Sequence, residues 1–260
     1  MGVHRVLVSL PDFKSGVAGH KPAGCVRFAR APAINVRRLL LEVSAMTGYI
    51  NKSMRSLNMI NRHFIGLLLS CLLSVVITTG AEALDAQAYL DKGNAAFNAS
   101  KYDEAIQLYG KAISASPDFT DAYYNRGLAY YKRGRYSEAV TDFTKVLDVN
   151  PKLTDVYYNR GLANFKKGHQ EKAIEDYTKA LSLNSSLAEA YLNRGIAYAY
   201  SSQYDEAIDD YNKAIIVKPN YEAAYFNRGV AYVRKAAADF SKVCTMGNQA
   251  ACENLKQISD

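Results

Sequence analysis

Small, apolar and aromatic residues return at fixed places along the C-terminal two-thirds of the chain. Five glycines lie 34 residues apart, at Gly93, Gly127, Gly161, Gly195 and Gly229. An alanine column and a ring column keep the same period, at Ala105, Ala139, Ala173 and Ala207 and at Tyr109, Phe143, Tyr177 and Tyr211. A fixed period of this length indicates a repeat architecture, in which each period is one structural unit.

Each period predicts two amphipathic helices joined by a short turn. In residues 120–153, apolar residues recur at helical spacing over Tyr123–Lys132 and again over Tyr136–Val149. Gly134 breaks the first helix, and Pro151 ends the second because proline cannot continue a helix. One pair cannot bury its apolar face alone, so stacked pairs would share a continuous core. The predicted units fill residues 84–221 and span 86–119, 120–153, 154–187 and 188–221.

These columns closely resemble the tetratricopeptide repeat (TPR) family, which places an aromatic, a glycine, an alanine, a second aromatic and a proline at fixed positions. The resemblance covers residues 86–221 and continues into a fifth unit. It implies an all-α fold, a right-handed superhelical solenoid of antiparallel helix pairs whose first helices line a concave groove. It also implies that the chain works by holding other proteins.

The resemblance assigns a set of positions to the groove, with an asparagine column at its centre. One amide offers both a donor and an acceptor, which match the peptide unit of any residue. The alternative is that each asparagine satisfies the helix start or a carbonyl of the neighbouring repeat, and the sequence leaves both open. The assigned positions are Asn125, Asn159, Asn193, Asn227, Tyr124, Tyr158, Leu128, Leu162, Tyr131, Lys132, Phe165 and Lys166.

An arginine column predicts ion pairs between the two helices of a unit. Aspartate follows the first three arginines 16 residues later, whereas the first unit has Lys92 and Leu108 at the two places. Because the two residue types are present or absent together there, we predict a charge-assisted pair with a structural role. The predicted pairs are Arg126 with Asp142, Arg160 with Asp176, and Arg194 with Asp210.

Residues 222–260 depart from the repeat. Alignment with the fourth unit shows that five residues, the whole turn, are missing between Lys235 and Ala236. We predict one long helix over Glu222–Val243 followed by a C-terminal capping helix, and a tight turn within Lys235–Ala238 is the alternative. The long helix would cap the core or offer a surface to a second copy of the chain.

Two cysteines near the C-terminus are candidates for a disulfide. In one continuous helix Cys244 and Cys252 would lie about 12 Å apart, too far to bond, but a helix stop at Met246-Gly247-Asn248 could bring them together. Their spacing resembles the disulfide-linked Sel1-like relatives of these repeats, which implies a bridge between them. Two buried free thiols are the alternative.

An apolar run of 14 residues at 64–77 predicts export. It is shorter than the roughly 20 residues of a membrane-spanning helix and typical of a signal-peptide core. Within region 64–83, a small-x-small box predicts cleavage between Ala83 and Leu84. The basic leader 1–63 is an over-extended start or part of a bipartite organelle presequence, and an uncleaved membrane anchor is the third alternative. The expected location is the bacterial periplasm or the exterior, or an organelle under the presequence reading.

Charge and composition exclude other classes of function. The net charge of +7 combines +8 in residues 1–63 with −1 in the rest, so the repeats carry no basic excess for nucleic acid. His169 is the only histidine after residue 63, and no metal set, histidine-activated nucleophile or phosphate loop is present. We therefore expect no enzyme activity and no cofactor. The predicted function is an exported protein-interaction scaffold. The alternative is a self-assembling or membrane-tethered spacer that oligomerises through its C-terminal helix.

Overall fold

The computed structural model describes residues 85–259, which fold into ten α-helices with no strand in that range. The helices are α1 (85–98), α2 (Tyr102–Ala115), α3 (Thr120–Lys132), α4 (Tyr136–Val149), α5 (Thr154–Lys166), α6 (Gln170–Leu183), α7 (Ala188–Tyr200), α8 (Tyr204–Val217), α9 (Glu222–Thr245) and α10 (Gln249–Ser259). The predicted leader, signal segment 64–77 and cleavage positions Ala83 and Leu84 lie outside the described residues.

The helix bounds follow the predicted pattern closely. Helix α4 begins and ends where the sequence predicts, at Tyr136 and Val149. Helix α3 begins at Thr120, three residues before the predicted start, because the Phe119 carbonyl already accepts hydrogen bonds from the Ala122 and Tyr123 amides. The turns between paired helices use the left-handed conformation, at φ +74° for Gly134 and φ +79° for Gly168, where glycine meets no Cβ clash.

The described residues fall into two compact units, 85–126 and 127–259. Within the second unit each helix from α4 to α10 packs against the next one along the chain. The first helices of successive pairs also contact each other, α5 with α7 and α7 with α9. The architecture of this unit is therefore a series of consecutive helix pairs, as the period predicts.

The glycine and ring columns meet inside each helix pair. A Cβ atom added at Gly127 would lie 2.8 Å from Phe143 Cε1, and one at Gly195 would lie 2.7 Å from Tyr211 Cε1. Phe143 and Tyr211 are themselves fully buried. The glycine lets the ring of the second helix lie directly on the backbone of the first helix, so the two columns form one packing device.

Candidate functional site

The structure buries the predicted asparagine column. None of the four side chains is more than 9% exposed. Asn193 Nδ2 donates to Tyr158 Oη at 2.9 Å and to the Glu189 carbonyl at 2.9 Å, and Asn227 Nδ2 donates to the Ala223 carbonyl at 2.8 Å. These donors are used within the helices and between neighbouring repeats, the pattern expected of a structural amide. A role of this column in binding a peptide stays a prediction.

The other predicted groove positions divide into a buried group and a solvent-facing group. Tyr124, Leu128, Tyr158 and Leu162 are buried in the core. Tyr131 and Phe165 are partly buried at the edge of the cluster that contains Tyr158 and Leu162, and Lys132 and Lys166 are exposed. Core packing therefore occupies the predicted positions in the earlier turns of each first helix, and the predicted positions that reach solvent are those at its last two residues.

A row of rings and lysines forms the accessible part of this surface. Tyr200, in the last turn of α7, is 50% exposed, and its ring centroid lies 5.3 Å from that of Phe165 in an edge-on arrangement. Tyr131, Lys132, Phe165, Lys166 and Tyr200 are hereafter the exposed row. All five lie within the unit 127–259, at the C-terminal ends of α3, α5 and α7.

Two phenols of this surface are neutral: Tyr131 belongs to the exposed row, and Tyr158 is buried in the cluster against which that row packs. Burial, together with Tyr136, raises the pKa of Tyr131 to about 12, and burial, together with Tyr221 and Glu189, raises the pKa of Tyr158 well above its usual value. Glu189 itself contacts Lys218 Nζ at 3.6 Å. At neutral pH these tyrosines stay protonated, so they offer hydrogen bonds and apolar area rather than charge.

Two arginines of the column each bind an aspartate through Nε and Nη2, which lie on one edge of the guanidinium. Arg160 Nη2 and Nε donate to Asp176 at 2.7 Å and 3.1 Å. Arg194 Nη2 and Nε donate to Asp210 at 2.8 Å and 2.7 Å. Burial alone would lower the pKa of Arg194, but the hydrogen bond and charge of Asp210 raise it. Such bidentate pairs join the two helices of a unit and leave no charge for chemistry. Asp142 is also buried, and its pairing with Arg126 stays a prediction.

A second polar column, which the sequence analysis missed, binds the same arginines from the preceding repeat. Arg160 Nη1 donates to Thr144 Oγ1 at 3.1 Å, and Arg194 Nη1 donates to Thr178 Oγ1 at 2.9 Å. Arg228 makes the corresponding bond to Asn212. Thr144, Thr178 and Asn212 are spaced by 34 residues, and that period is the signal that could have revealed them. Each of these arginines therefore joins its own repeat to the one before it.

Family comparison agrees with this architecture. Tetratricopeptide repeat models match residues 90–151, 154–187 and 188–221. The chain belongs to the tetratricopeptide repeat family. The matched residues lie within the four predicted units, and the predicted fifth unit, residues 222 onward, lies outside them. A comparison with curated proteins gives no match.

Solved TPR structures resemble the chain along most of their own length. A crystal structure of MamA superposes with a TM-score of 0.57 at 28% identity, covering 67% of this chain and 90% of MamA. YrrB, a TPR protein with an unusual peptide-binding site, superposes with a TM-score of 0.52 at 25% identity, covering 67% of this chain and 84% of YrrB. The all-α TPR fold is thus shared with proteins of known structure.

The predicted fifth unit lacks a second helix in the usual place. Helix α9 runs for 24 residues without a break, as the missing turn predicts. Arg228 and Asp239, at the places of the predicted pairs, lie 11 residues and about 16 Å apart along it. A Cβ atom added at Gly229 would meet nothing within 4 Å, unlike at the other glycines of its column. The first helix of this unit is therefore uncovered on the side where a second helix normally packs.

The C-terminal cysteines lie close together after a bend. Helix α9 ends at Thr245, Gly247 adopts φ +92°, and α10 begins at Gln249. The Cα atoms of Cys244 and Cys252 are then 4.8 Å apart, within the range that a disulfide requires. The helix stop predicted at residues 246–248 is present, and it turns α10 back onto α9.

The described residues show neither a metal cluster nor a membrane span. Within residues 85–259, no group of three His, Cys, Asp or Glu side chains could hold a metal ion. In the same range no helix combines the length and apolarity that crossing a bilayer demands. The candidate site of this TPR protein is a surface, composed of the exposed row and the neighbouring phenol of Tyr158.

Proposed function

We propose that the chain is a protein-interaction scaffold that holds an extended segment of a partner protein along the exposed row. The observation that carries the proposal is the half-exposed Tyr200 ring packed edge-on against Phe165, beside the exposed Lys166. Stiff rings with polar tips supply contact area at low entropic cost, as protein-binding surfaces require. The likeness to YrrB, a TPR protein with a peptide-binding site, supports the same reading.

The chemistry of the exposed row defines the segment that it would hold. The rings of Tyr131, Phe165 and Tyr200 would receive apolar side chains, and Lys132 and Lys166 would pair with carboxylates of the segment. The phenols of Tyr158 and Tyr131 carry no charge at neutral pH, so they favour apolar and hydrogen-bonding groups of the segment over its cationic side chains. The expected ligand is an extended segment that combines apolar and acidic residues.

A displayed library of random peptides tests this proposal. Peptides of about twelve residues span about 40 Å when extended, enough to cross several first helices. The full chain should select sequences rich in apolar and acidic residues, and Tyr200→Ala with Lys166→Glu should abolish their binding. The matched control is Ile216→Ala with Lys172→Glu, two exposed positions on second helices. Equal loss in both variants, or no selection at all, would contradict the proposal.

We also propose that the chain is exported, to the periplasm or beyond the cell, with cleavage between Ala83 and Leu84. The apolar run 64–77 and the small residues after it support this step. The mass and N-terminal sequence of the protein purified from its own cells test it. A mature N-terminus at Leu84 is expected, whereas a protein that retains residues 64–77 would indicate a membrane anchor.

Export makes a disulfide between Cys244 and Cys252 the expected state of the C-terminus. Their Cα atoms lie 4.8 Å apart, and oxidising compartments favour the bonded form. Thiol counting on the unfolded protein, with and without reductant, should show two thiols that only reduction releases. The same count before and after reduction would indicate free thiols instead.

A further inference from the structure

One face of α9 is exposed, although the corresponding face of α7 in the fourth unit is covered by the second helix α8. Tyr225 and Tyr232, which share this face with Gly229, are 47% and 52% exposed. Their counterparts in the fourth unit, Tyr191 and Tyr198, pack against the core. The difference arises because the fourth unit has α8 on this face and the fifth has nothing there among the described residues.

The C-terminal half of α9 carries the sequence of the second helix that is missing. Residues 236–243 read AAADFSKV and align with AIDDYNKA at 207–214. Asp239 and Phe240 then stand where Asp210 and Tyr211 stand in the fourth unit. Asp210 and Tyr211 are buried against their first helix, whereas Asp239 is exposed and Phe240 is partly exposed. Helix α9 therefore combines a first helix with an uncovered face and the sequence of a second helix that packs on no first helix of its own chain.

These two halves cannot meet within one chain while α9 is straight. Gly229 and Phe240 lie about 16 Å apart along the helix axis. Residues 202–206 of the fourth unit, which complete its turn and begin α8, have no counterpart between Lys235 and Ala236. A shortened connection that prevents a segment from folding back favours exchange of that segment between copies.

We propose that two copies of this chain form a two-fold dimer, in which the C-terminal half of α9 in each copy covers the exposed face of α9 in the other. Antiparallel helices would place Phe240 of one copy on Gly229 of the other, and Asp239 of one beside Arg228 of the other. A two-fold axis close to Lys235 generates both contacts twice. The dimer goes beyond the proposed peptide binding, because it gives one particle two exposed rows.

The spacing of the residues supports a second copy as the occupant. Tyr225, Gly229, Tyr232, Ala236 and Phe240 follow one another at three- and four-residue steps, so both halves share one face of α9. Val243 continues that face and is 38% exposed, which shows that α10 leaves it accessible. The face is self-complementary. Its N-terminal part carries the glycine and arginine that receive a ring and an aspartate in the fourth unit, and its C-terminal part carries such a ring and aspartate.

The molecular mass of the full chain in solution gives the first test. Sedimentation over a concentration series should show twice the 28.7 kDa mass of the full chain, or twice the mass of its processed form. Insertion of Ser-Gln-Tyr-Asp-Glu between Lys235 and Ala236 restores the turn of the fourth unit. The inserted variant should be a folded monomer, because Phe240 and Asp239 can then reach Gly229 and Arg228 of their own chain.

Charge reversal tests the register of the two helices. Arg228→Glu and Asp239→Arg alone each place like charges together twice, so each should raise the dimer dissociation constant at least about tenfold. A mixture of the two variants forms a heterodimer in which both pairs have opposite charge, and it should regain the wild-type constant. Helical content by circular dichroism checks that each variant is folded.

Three outcomes would overturn the proposal. They are a wild-type chain that is monomeric throughout the series, an inserted variant that remains dimeric, and a mixture that dimerises no better than its components. None of them bears on the peptide selection, because Tyr200 and Lys166 are unchanged in every variant. The two proposals can therefore fail separately.

Discussion

The fourth and fifth predicted units begin alike, with YLNRG at 191–195 and YFNRG at 225–229, yet their first helices have different surroundings. In the fourth unit α8 turns back, so Tyr211 lies on Gly195 and Asp210 binds Arg194. In the fifth unit the helix continues, and Gly229 has open space instead. Five missing residues between the two helices therefore decide whether a nearly identical motif is core or surface.

The comparison shows that a repeat column has no fixed degree of burial. Glycine at this column is required sterically only where a ring from the second helix arrives. The arginine likewise gains a carboxylate only where the second helix returns. The sequence of a first helix thus specifies which side chains can pack on it. The turn after it determines whether a second helix returns to supply them.

The largest predicted contrast is between the two aspartates. Asp210→Ala leaves the largely buried Arg194 guanidinium without its carboxylate, so the free energy of unfolding should fall by about 3 kcal/mol. Asp239→Ala removes an exposed group and should change the stability of the single chain by less than about 0.5 kcal/mol. Urea unfolding followed by circular dichroism, at a concentration where the chain is monomeric, measures both. Similar losses would mean that Asp239 has a buried partner within its own chain.

The two glycines should respond in opposite directions. Gly195→Ala places a Cβ 2.7 Å from the Tyr211 ring and 3.1 Å from the Ala207 carbonyl, so about 2 kcal/mol of stability should be lost through overpacking. Gly229→Ala adds a methyl in open space and should gain up to about 1 kcal/mol through helix propensity. The same Gly229→Ala change should weaken the dimer, because the methyl would meet Phe240 of the other copy. A destabilised Gly229→Ala monomer would contradict the open face.

A smaller effect should distinguish the arginines of the two units. Arg194 has both Asp210 and Thr178 as partners, so Thr178→Val should cost only about 0.5 kcal/mol. Arg228 donates to Asn212 without a second-helix carboxylate, and Asn212→Ala should cost about 1 kcal/mol. Thermal unfolding of both variants beside wild type measures the order. A larger loss for Thr178→Val would show that the carboxylate does not hold Arg194 in place.

The smallest effect at neutral pH concerns the phenol of the covered ring. Tyr211 Oη is buried without a hydrogen-bond partner, and Phe143 fills the same column in the second unit. Tyr211→Phe should therefore change stability by less than about 0.5 kcal/mol at pH 7.

Alkaline pH should enlarge that difference. Burial raises the pKa of Tyr211 well above its usual value, so above pH 10 the unfolded chain loses this proton while the native chain keeps it. Stability then falls with pH, by up to about 1.4 kcal/mol for each unit. Tyr211→Phe removes that loss, and urea midpoints at pH 9, 10 and 11 should diverge from wild type. Parallel curves would indicate that Tyr211 ionises freely in the native state.

The repeat period, local sequence signals and the family resemblance together predicted most of the fold. The bounds of α4, the bend after Thr245 and the uninterrupted α9 follow from local signals: helical spacing, a glycine stop and a missing turn. These features depend on neighbours in sequence, which a single chain displays directly. The start of α3 differed by three residues, because the Pro-containing turn before it already supplies helical hydrogen bonds.

The binding surface was predicted less well, because the sequence alone does not show whether an amide or a ring faces the core or solvent. Asn193 donates hydrogen bonds to Tyr158 and to its own helix, and the bond to Tyr158 depends on how successive repeats pack. Thr144 and Thr178 were overlooked because hydroxyls on a second helix carry no motif. Tyr200 lies in the column of Lys132 and Lys166, which the family resemblance assigns to the groove, and its side chain is half-exposed.

The arginine that binds both its own repeat and the previous one has a consequence for how the protein unfolds. Each such residue adds coupling between neighbours, and nearest-neighbour coupling makes a repeat array open cooperatively. The fifth unit is joined to the fourth through Arg228 and Asn212 without the carboxylate that reinforces the others. Amide hydrogens should therefore exchange first in α9 and α10, and the chain should fray inward from its C-terminal end.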